Sequence, residues 1–452
     1  MSIKNLYPSV SPTIYVDYTK SEGFGSLFNS FRPTWQGVAS TNHLLNANGL
    51  VSLAGGGPNI EYDKDGNSLG LAITGYMQNE VDEPENADSG TGGSDGIQTS
   101  GNITVNEDVA TAPDGTSEAN RITQTDNSAD KYWSPLESDQ NSSLQICQTS
   151  IFAKKETHDW IKIKLRQYSS GNSNSGNDLG SAYFRLTNGG AVGTVTSNIT
   201  GTVDSGSFGH GTVDLKVTAS IEEYPNDWYR CTVICVHDEI ESGSTYDHIR
   251  AYLYPVRNGD NDDTDITGTK TLLVWGANMT SPGPSTIVST WGADRPSPYV
   301  GAKDASTGKS TELRTDGSWW NTSEGTLIVE SRVNFFGSAA AYDNYKCFIN
   351  GVVELSTDSL GKPTFKLFGP NPDHTYTHTS PLVGSTIKEA FAYSTNDTAY
   401  ILNGTVVDTL SSYTPPAVTA GTWNLCQMSG HLRKITYYPT RLTNAQIQVL
   451  TS

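Results

Sequence analysis

Short apolar runs with a period of two recur along almost the whole chain, each broken after a few residues by Gly, Asn, Asp or Pro. This feature constrains the fold most. Alternating apolar and polar residues line one face of a strand, whereas a helix would scatter them around its surface. DWIKIKLRQY (159–168), YRCTVICVHD (229–238) and IRAYLYPV (249–256) alternate in this way. TLLVWGANM (271–279) is continuously apolar, as expected of a strand buried on both faces. TLIVESRVNFF (326–336), YKCFINGVVEL (345–355), AYILNGTVVDTL (399–410) and HLRKITYYPT (431–440) follow. Asn350-Gly351 and Asn403-Gly404 each separate two apolar runs. A type I′ turn needs positive φ at both central residues, so each pair predicts a tight hairpin. The even spacing predicts an all-β chain built of antiparallel sandwiches. One helix is expected, at RLTNAQIQVL (441–450). There Thr443 and Gln446 have capping-box spacing, and Ile447 and Leu450 form a short apolar stripe suited to covering a sheet.

A length of 452 residues suggests about three domains. Two Gly- and Pro-containing stretches, 79–96 and 292–310, divide the chain accordingly. The expected units are a small β module over 1–90, a sandwich over 97–299 and a second sandwich over 311–452. Lys plus Arg number 29 and Asp plus Glu 48, for a net charge of −19. That balance argues against nucleic acid as a partner, because phosphate binding needs a basic face. The excess is uneven: residues 1–130 hold 17 acids and 5 bases. Such a charge keeps a surface soluble, and it also suits docking on a basic partner. No apolar run approaches the ~20 residues that cross a bilayer, so membrane insertion is not expected. Met1 to Pro12 lacks the basic patch and apolar core of a secretory signal. The five cysteines, Cys147, Cys231, Cys235, Cys347 and Cys426, are odd in number and scattered, which does not make a disulfide framework. On a strand, Cys231, Val233 and Cys235 share a face, so these thiols read as small core hydrophobes.

Four segments in sequence carry a family resemblance. NHLLNANGLVSLAGGGPNIEYDKDGNSLGLAITGYMQN (42–79) is similar to a module of phage and prophage structural proteins. TAPDGTSEANRIT (111–123) resembles that family's sandwich-opening strand. NDWYRCTVICV (226–236) resembles its GWYR strand, and TLLVWGANMTSPGPSTIVSTWGADRP (271–296) its VWGAQ strand. The final part, ending in YYPTRLTNAQIQVL, is similar to a second laminin-G-like sandwich. The resemblance implies two concanavalin A-like antiparallel β-sandwiches of jelly-roll type behind the small N-terminal module. It also implies a bacteriophage virion protein, made in the host bacterial cytoplasm, of tail-fibre or appendage type. Its expected partners are other virion subunits and host surface polysaccharide. Its expected state is a homo-oligomer, with a trimer in view, because copy number strengthens weak sites. Two rivals stay open: a capsid decoration or head-fibre protein with structural contacts, and an envelope polysaccharide depolymerase.

Residue patterns for catalysis are weak, and the chain is expected not to be an enzyme. A glycosidase needs two carboxylates across a cleft. Asp238, Glu239 and Glu241 end a strand and run into Gly243, which reads as a solvated turn; Glu330 stands alone in LIVESRV. Gly92-Gly93-Ser94-Asp95-Gly96 matches G-x-S-x-G by letter but has no apolar strand before it. His374 and His378 lie in a Thr-rich extended stretch rather than on a helix. For metal, Asp260, Asp262, Asp263 and Asp265 crowd one loop, where a cation or open water must relieve their repulsion. Calcium is the candidate ion there. Asp63, Asp65 and Asn67 in DKDGN also alternate, although a type I turn explains the same letters. For glycan or partner contact the candidates are Trp319, Trp320, Tyr376, Tyr437 and Tyr438, because a sugar's C–H face stacks on a ring. Neighbours on a strand alternate faces, so one of each adjacent pair is expected to be exposed.

Overall fold

The computed structural model describes residues 8–20, 34–36, 42–53, 59–73, 98–99, 103–124, 133–134, 144–169, 172–199, 202–204, 212–214, 216–238, 246–256, 259, 269–280, 299–300, 312–315, 319–335, 345–349, 351–357, 362–369, 373–380, 382, 384–415, 423–424 and 429–452. The paired strands among these residues are antiparallel, and most of them form two sandwiches. In the first, one sheet runs in the order Lys216–Tyr224, Trp228–Asp238, Leu144–Lys155, Lys270–Thr280, Ala119–Gln124, Ile103–Ala110. The facing sheet runs Ala191–Ser197, Asn172–Arg185, Trp160–Ser169, Tyr246–Val256, Trp133–Ser134, Gln98–Thr99. Ile151, Cys231, Val233 and Val274 from one layer meet Ile163, Leu165, Phe184 and Leu253 from the other in a single core. Cys231, Val233, Ile163, Leu165 and Leu253 are inward positions of alternating runs, so period two translates directly into this layer there, while Val274 comes from the continuous run 271–279.

In the second sandwich one sheet runs Thr405–Leu410, Asp397–Leu402, Thr386–Ser394, Gly325–Phe335, Ser429–Tyr438, Ser68–Ile73, Ile60–Tyr62. The facing sheet runs Thr34–Gln36, Glu312–Thr315, Trp423–Asn424, Tyr345–Ile349, Val353–Thr357, Pro363–Leu367, His374–Thr377. Leu327, Val329, Phe391 and Tyr400 pack against Cys347, Ile349, Leu355 and Phe365 between them. Asn403 and Gly404 take φ of 45° and 77°, the positive pair that a type I′ turn requires. Gly351 has φ of 72°, while Asn350 of the other expected turn lies outside the described residues.

The described strands of the segment 1–90, expected as a module of its own, are instead divided among other sheets. Ile14–Asp17 pairs with Ser429–Tyr438, with Ile14 opposite Tyr437 and Asp17 opposite Lys434. Ser68–Ile73 pairs with the same strand, with Leu71 opposite Leu432 and Ile73 opposite Gly430. Gly325–Phe335 occupies the strand's other side. Thr34–Gln36 joins the facing sheet at Glu312–Thr315. Strands of three to six residues bury too little to stand alone, whereas an open sheet edge offers unpaired backbone groups. The remaining hairpin, Asn42–Leu45 with Val51–Leu53, pairs with Tyr299–Val300. Leu45 and Val51 cover the outer face of the first sandwich at Phe152, Trp228, Leu273 and Trp275.

That contact explains the continuous apolar run 271–279. Leu272, Val274, Ala277 and Met279 face the first sandwich's interior, while Leu273 and Trp275 face the N-terminal hairpin. The helix Asn444–Thr451 forms as expected. Thr443 Oγ1 accepts from Gln446 N–H, and Thr443 N–H donates to Gln446 Oε1 at 3.0 Å. Ile447 and Leu442 cover Ile328, Ala390, Ala392, Ala399 and Ile401 on the outer face of the second sandwich.

Candidate functional site

A cleft of about 480 Å³ opens between the hairpin spanning Ile60–Ile73 and the edge strand Lys216–Tyr224 of the first sandwich. The hairpin is held to the second sandwich by strand pairing, so both sandwiches shape the cleft. Five carboxylates line it: Glu61, Asp63, Asp65, Glu222 and Glu223. Two cations, Lys64 and Arg332, stand among them. Tyr62, Tyr224, Leu45, Leu69 and Ile221 supply apolar surface. The volume lies in the range of small-molecule pockets.

The charges are organised. Lys64 Nζ sits 2.9 Å from Asp65 Oδ1 and 3.5 Å from Glu223 Oε2, bridging the two walls. The Asp65 contact, with the charges of Asp65 and Glu223, raises the Lys64 pKa and keeps its ammonium charged. Asp63 is engaged by its own turn. Its Oδ1 accepts from Asp65 N–H at 3.0 Å and from Asn67 N–H at 2.8 Å, and its Oδ2 accepts from Asn67 Nδ2 at 3.0 Å. Burial pushes the carboxyl up, but these hydrogen bonds outweigh it and hold the pKa below the usual aspartate value. Glu61 faces His431, with Oε2 at 2.5 Å from Nε2. The DKDGN loop is therefore a hydrogen-bonded turn at the cleft mouth. Among the described residues no group of three or more His, Cys, Asp or Glu is arranged to hold a metal ion. Asp260, Asp262, Asp263 and Asp265, the expected calcium ligands, lie outside the described residues.

The aromatic candidates do not gather here. Trp319 and Trp320 are both buried, at 6% and 8% exposure. Alternation fails for this pair because it lies in a turn before the strand Gly325–Phe335. Trp320 stacks on Tyr393 at 4.7 Å and on Tyr437 at 5.2 Å, and Trp319 meets Tyr437 edge-on at 4.9 Å. Tyr437 and Tyr438 do alternate, yet both are buried: Tyr437 faces the sandwich core, and Tyr438 lies under the C-terminal helix. These four rings are packing residues, which corrects their expected contact with a sugar. Tyr376 is half-buried, its ring 5.7 Å from that of Tyr400. His374 Nε2 lies 2.5 Å from Asp408 Oδ2, and His378 Nδ1 contacts the Ser380 backbone, so the two histidines have separate partners. Glu330 accepts from Arg433 Nε at 2.8 Å. Cys147, Cys231, Cys235 and Cys347 are free and buried, and burial pushes the Cys231, Cys235 and Cys347 thiols up. Gly92 to Gly96, Glu239 and Glu241 lie outside the described residues, as do Cys426 and most of the stretches 79–96 and 292–310.

Sequence reasoning missed the cleft because its two walls lie far apart in the chain. Its advance signals were the DKDGN run, which carries Asp63 and Asp65, and the acidic excess of residues 1–130, which supply three of the five carboxylates.

No family model and no curated protein matches the sequence. Solved structures show distant likeness. Domain 4 of AbnA, a GH43 extracellular arabinanase from Geobacillus stearothermophilus solved with arabinotriose, is 15% identical. The match covers 32% of this chain and 73% of that one, at a TM-score of 0.25. Trypanosoma rangeli sialidase with the inhibitor DANA is 10% identical over 74% of this chain and 60% of that one, with a TM-score of 0.25. Domains LG4-5 of the mouse laminin alpha1 chain are 11% identical over 72% of this chain and 90% of that one, with a TM-score of 0.21. Likeness at this level assigns no reaction or ligand. The expectation of a protein without enzymatic activity is nevertheless corrected: glycosidases stand among these structures, and the exclusion of catalysis is withdrawn.

Proposed function

We propose that this protein binds glycans through the cleft between its two sandwiches, as a tail-fibre or appendage protein of a bacteriophage virion that engages host surface polysaccharide. The observation that carries the glycan reading is the lining of the cleft. Sugar hydroxyls donate to carboxylates and accept from Lys64 and Arg332, and Tyr62 and Tyr224 line the same space. Five carboxylates against two cations disfavour uronic and sialic acids, so the ligand is a neutral or amino sugar. The virion setting rests on the motif resemblance, and a homo-oligomer would multiply a weak site.

A second reading draws on the same residues. Carboxylates on both walls are the groups that a polysaccharide depolymerase uses in pairs. One experiment addresses both readings. The purified chain is screened on a glycan array, and the glycans held are assayed for reducing-end release. Binding that is lost in Glu222→Lys with Glu223→Lys, in a variant that keeps its melting temperature, supports the cleft. Undiminished binding in that variant removes it. Release of reducing ends establishes the depolymerase. For the virion setting, antibody to this chain is tested for blocking phage adsorption, and failure to label particles overturns it.

A further inference from the structure

The core of the second sandwich contains an amine and a carboxyl group in contact. Lys346 Nζ lies 2.6 Å from Glu389 Oε2, and both side chains are fully buried. They come from facing sheets, Lys346 from Tyr345–Ile349 and Glu389 from Thr386–Ser394. Local structure puts both inside. Glu389 occupies an inward position of its strand, between Ile387 and Phe391, where the pattern calls for an apolar residue. Lys346 sits in a bulge. Tyr345 pairs with Ser356 and Cys347 with Leu355, which leaves Lys346 as the extra residue between them. A bulge re-aims a side chain, and here Lys346 and Cys347 are consecutive and both fully buried. Tyr400 completes the group: its O–H donates to Glu389 Oε1 at 2.7 Å. Phe365 stacks on the Tyr400 ring at 4.7 Å.

As a source of stability this ion pair is a poor choice. Two charges in a dry core cost more to desolvate than their attraction returns, and apolar residues of similar volume do as well or better. The same burial favours a different chemistry. We propose that Lys346 and Glu389 condense to an amide, a covalent cross-link between the two sheets of the second sandwich. The step balances without any co-reactant. One proton passes from the ammonium to Oε2, giving an amine and a carboxylic acid. The Nζ lone pair attacks Cδ while the Tyr400 hydroxyl polarises the Cδ–Oε1 carbonyl. The Cδ–Oε2 bond then breaks, a second proton moves from nitrogen to Oε2, and one water leaves. Both charges vanish, and the sheets are tied against separation. Held in contact, the reactants have the proximity that intramolecular reactions exploit.

Intact-mass spectrometry of the full chain under denaturing conditions tests this directly, on fresh protein and again after warm incubation below the unfolding transition. The expected wild-type mass is one water below the sequence mass. Proteolysis is expected to yield one branched peptide joining the Lys346 and Glu389 segments. Lys346→Met and Glu389→Leu are expected to show the full sequence mass and no branched peptide. A wild-type chain at full sequence mass after incubation overturns the proposal, as does a water loss that mapping places elsewhere. Neither wild-type result depends on a variant folding.

Discussion

His431 Nε2 lies 2.5 Å from Oε2 of Glu61, and so joins the last strand of the chain to a hairpin near its start. His431 is nearly inaccessible, with its side chain at 2% exposure, and Glu61 stands at the cleft edge at 19%. The contact fastens one wall of the cleft to the second sandwich. His431→Leu is expected to cost about 1–3 kcal/mol, the range for breaking a partly buried hydrogen bond to a charged group. Hydrogen exchange reads the location: amides of Ser68–Ile73 should lose protection before those of Thr386–Ser394. Equal protection of both strands in the variant would show that the hairpin does not depend on this contact.

The ring stack under the second sandwich predicts a structural phenotype for a residue type usually associated with sugars. Trp320→Ala removes a ring stacked on both Tyr393 and Tyr437. The expected loss in urea unfolding is about 3–5 kcal/mol. Glycan binding by the folded fraction should be unchanged, since Trp320 does not line the cleft. A variant with wild-type stability and lost binding would reverse the assignment.

Gly325 is required by its neighbours. A Cβ there would lie 2.6 Å from the hydroxyls of both Tyr393 and Tyr437. Those hydroxyls close a circuit. Asn321 N–H donates to Tyr437, the two hydroxyls are 2.9 Å apart, and Tyr393 O–H donates to the Asn321 carbonyl at 2.5 Å. Gly325→Ala is expected to cost about 1–3 kcal/mol by overpacking. Tyr393→Phe removes one of the two clashing oxygens, so the double variant should lose less than the sum of the singles. Strict additivity in the denaturant-unfolding cycle would show that the clash is relieved in some other way.

Stability should fall on acidification in two stages with known sign. Burial, aided by Lys270, pushes the His158 pKa below its ordinary 6.5. The unfolded chain therefore takes up that proton first, and stability declines as pH drops below 6.5. The Glu156 carboxyl is held below its ordinary 4.5, chiefly by Arg121, whose Nε and Nη2 donate to it at 2.7 and 2.6 Å. Its contribution is complete above that value and is lost as pH falls through the depressed one. Arg121 is 37% exposed, so solvent screening limits the pair to about 0.5–1 kcal/mol. Arg121→Met should flatten the lower stage and leave the His158 stage in place, measured as ΔG in urea against pH. An unchanged profile below pH 4.5 would remove this pair as the cause.

Much of the architecture was legible in the letters because its rules are local. Period two gave the core strands, Asn403-Gly404 gave its turn through positive φ, and Thr443 with Gln446 gave the cap of the helix Asn444–Thr451. The continuous run 271–279 announced two buried faces, although not what covers the second one. What escaped the sequence depends on which distant segments meet. That Ile14 pairs with Tyr437, and that Glu61 and Glu222 line one cleft, follows from a free sheet edge claiming whichever strand can satisfy its backbone. No local pattern encodes that choice. The burial of Trp319 and Trp320 was hidden for a related reason. A turn suspends the alternation rule, and tertiary packing alone decided that both rings point inward.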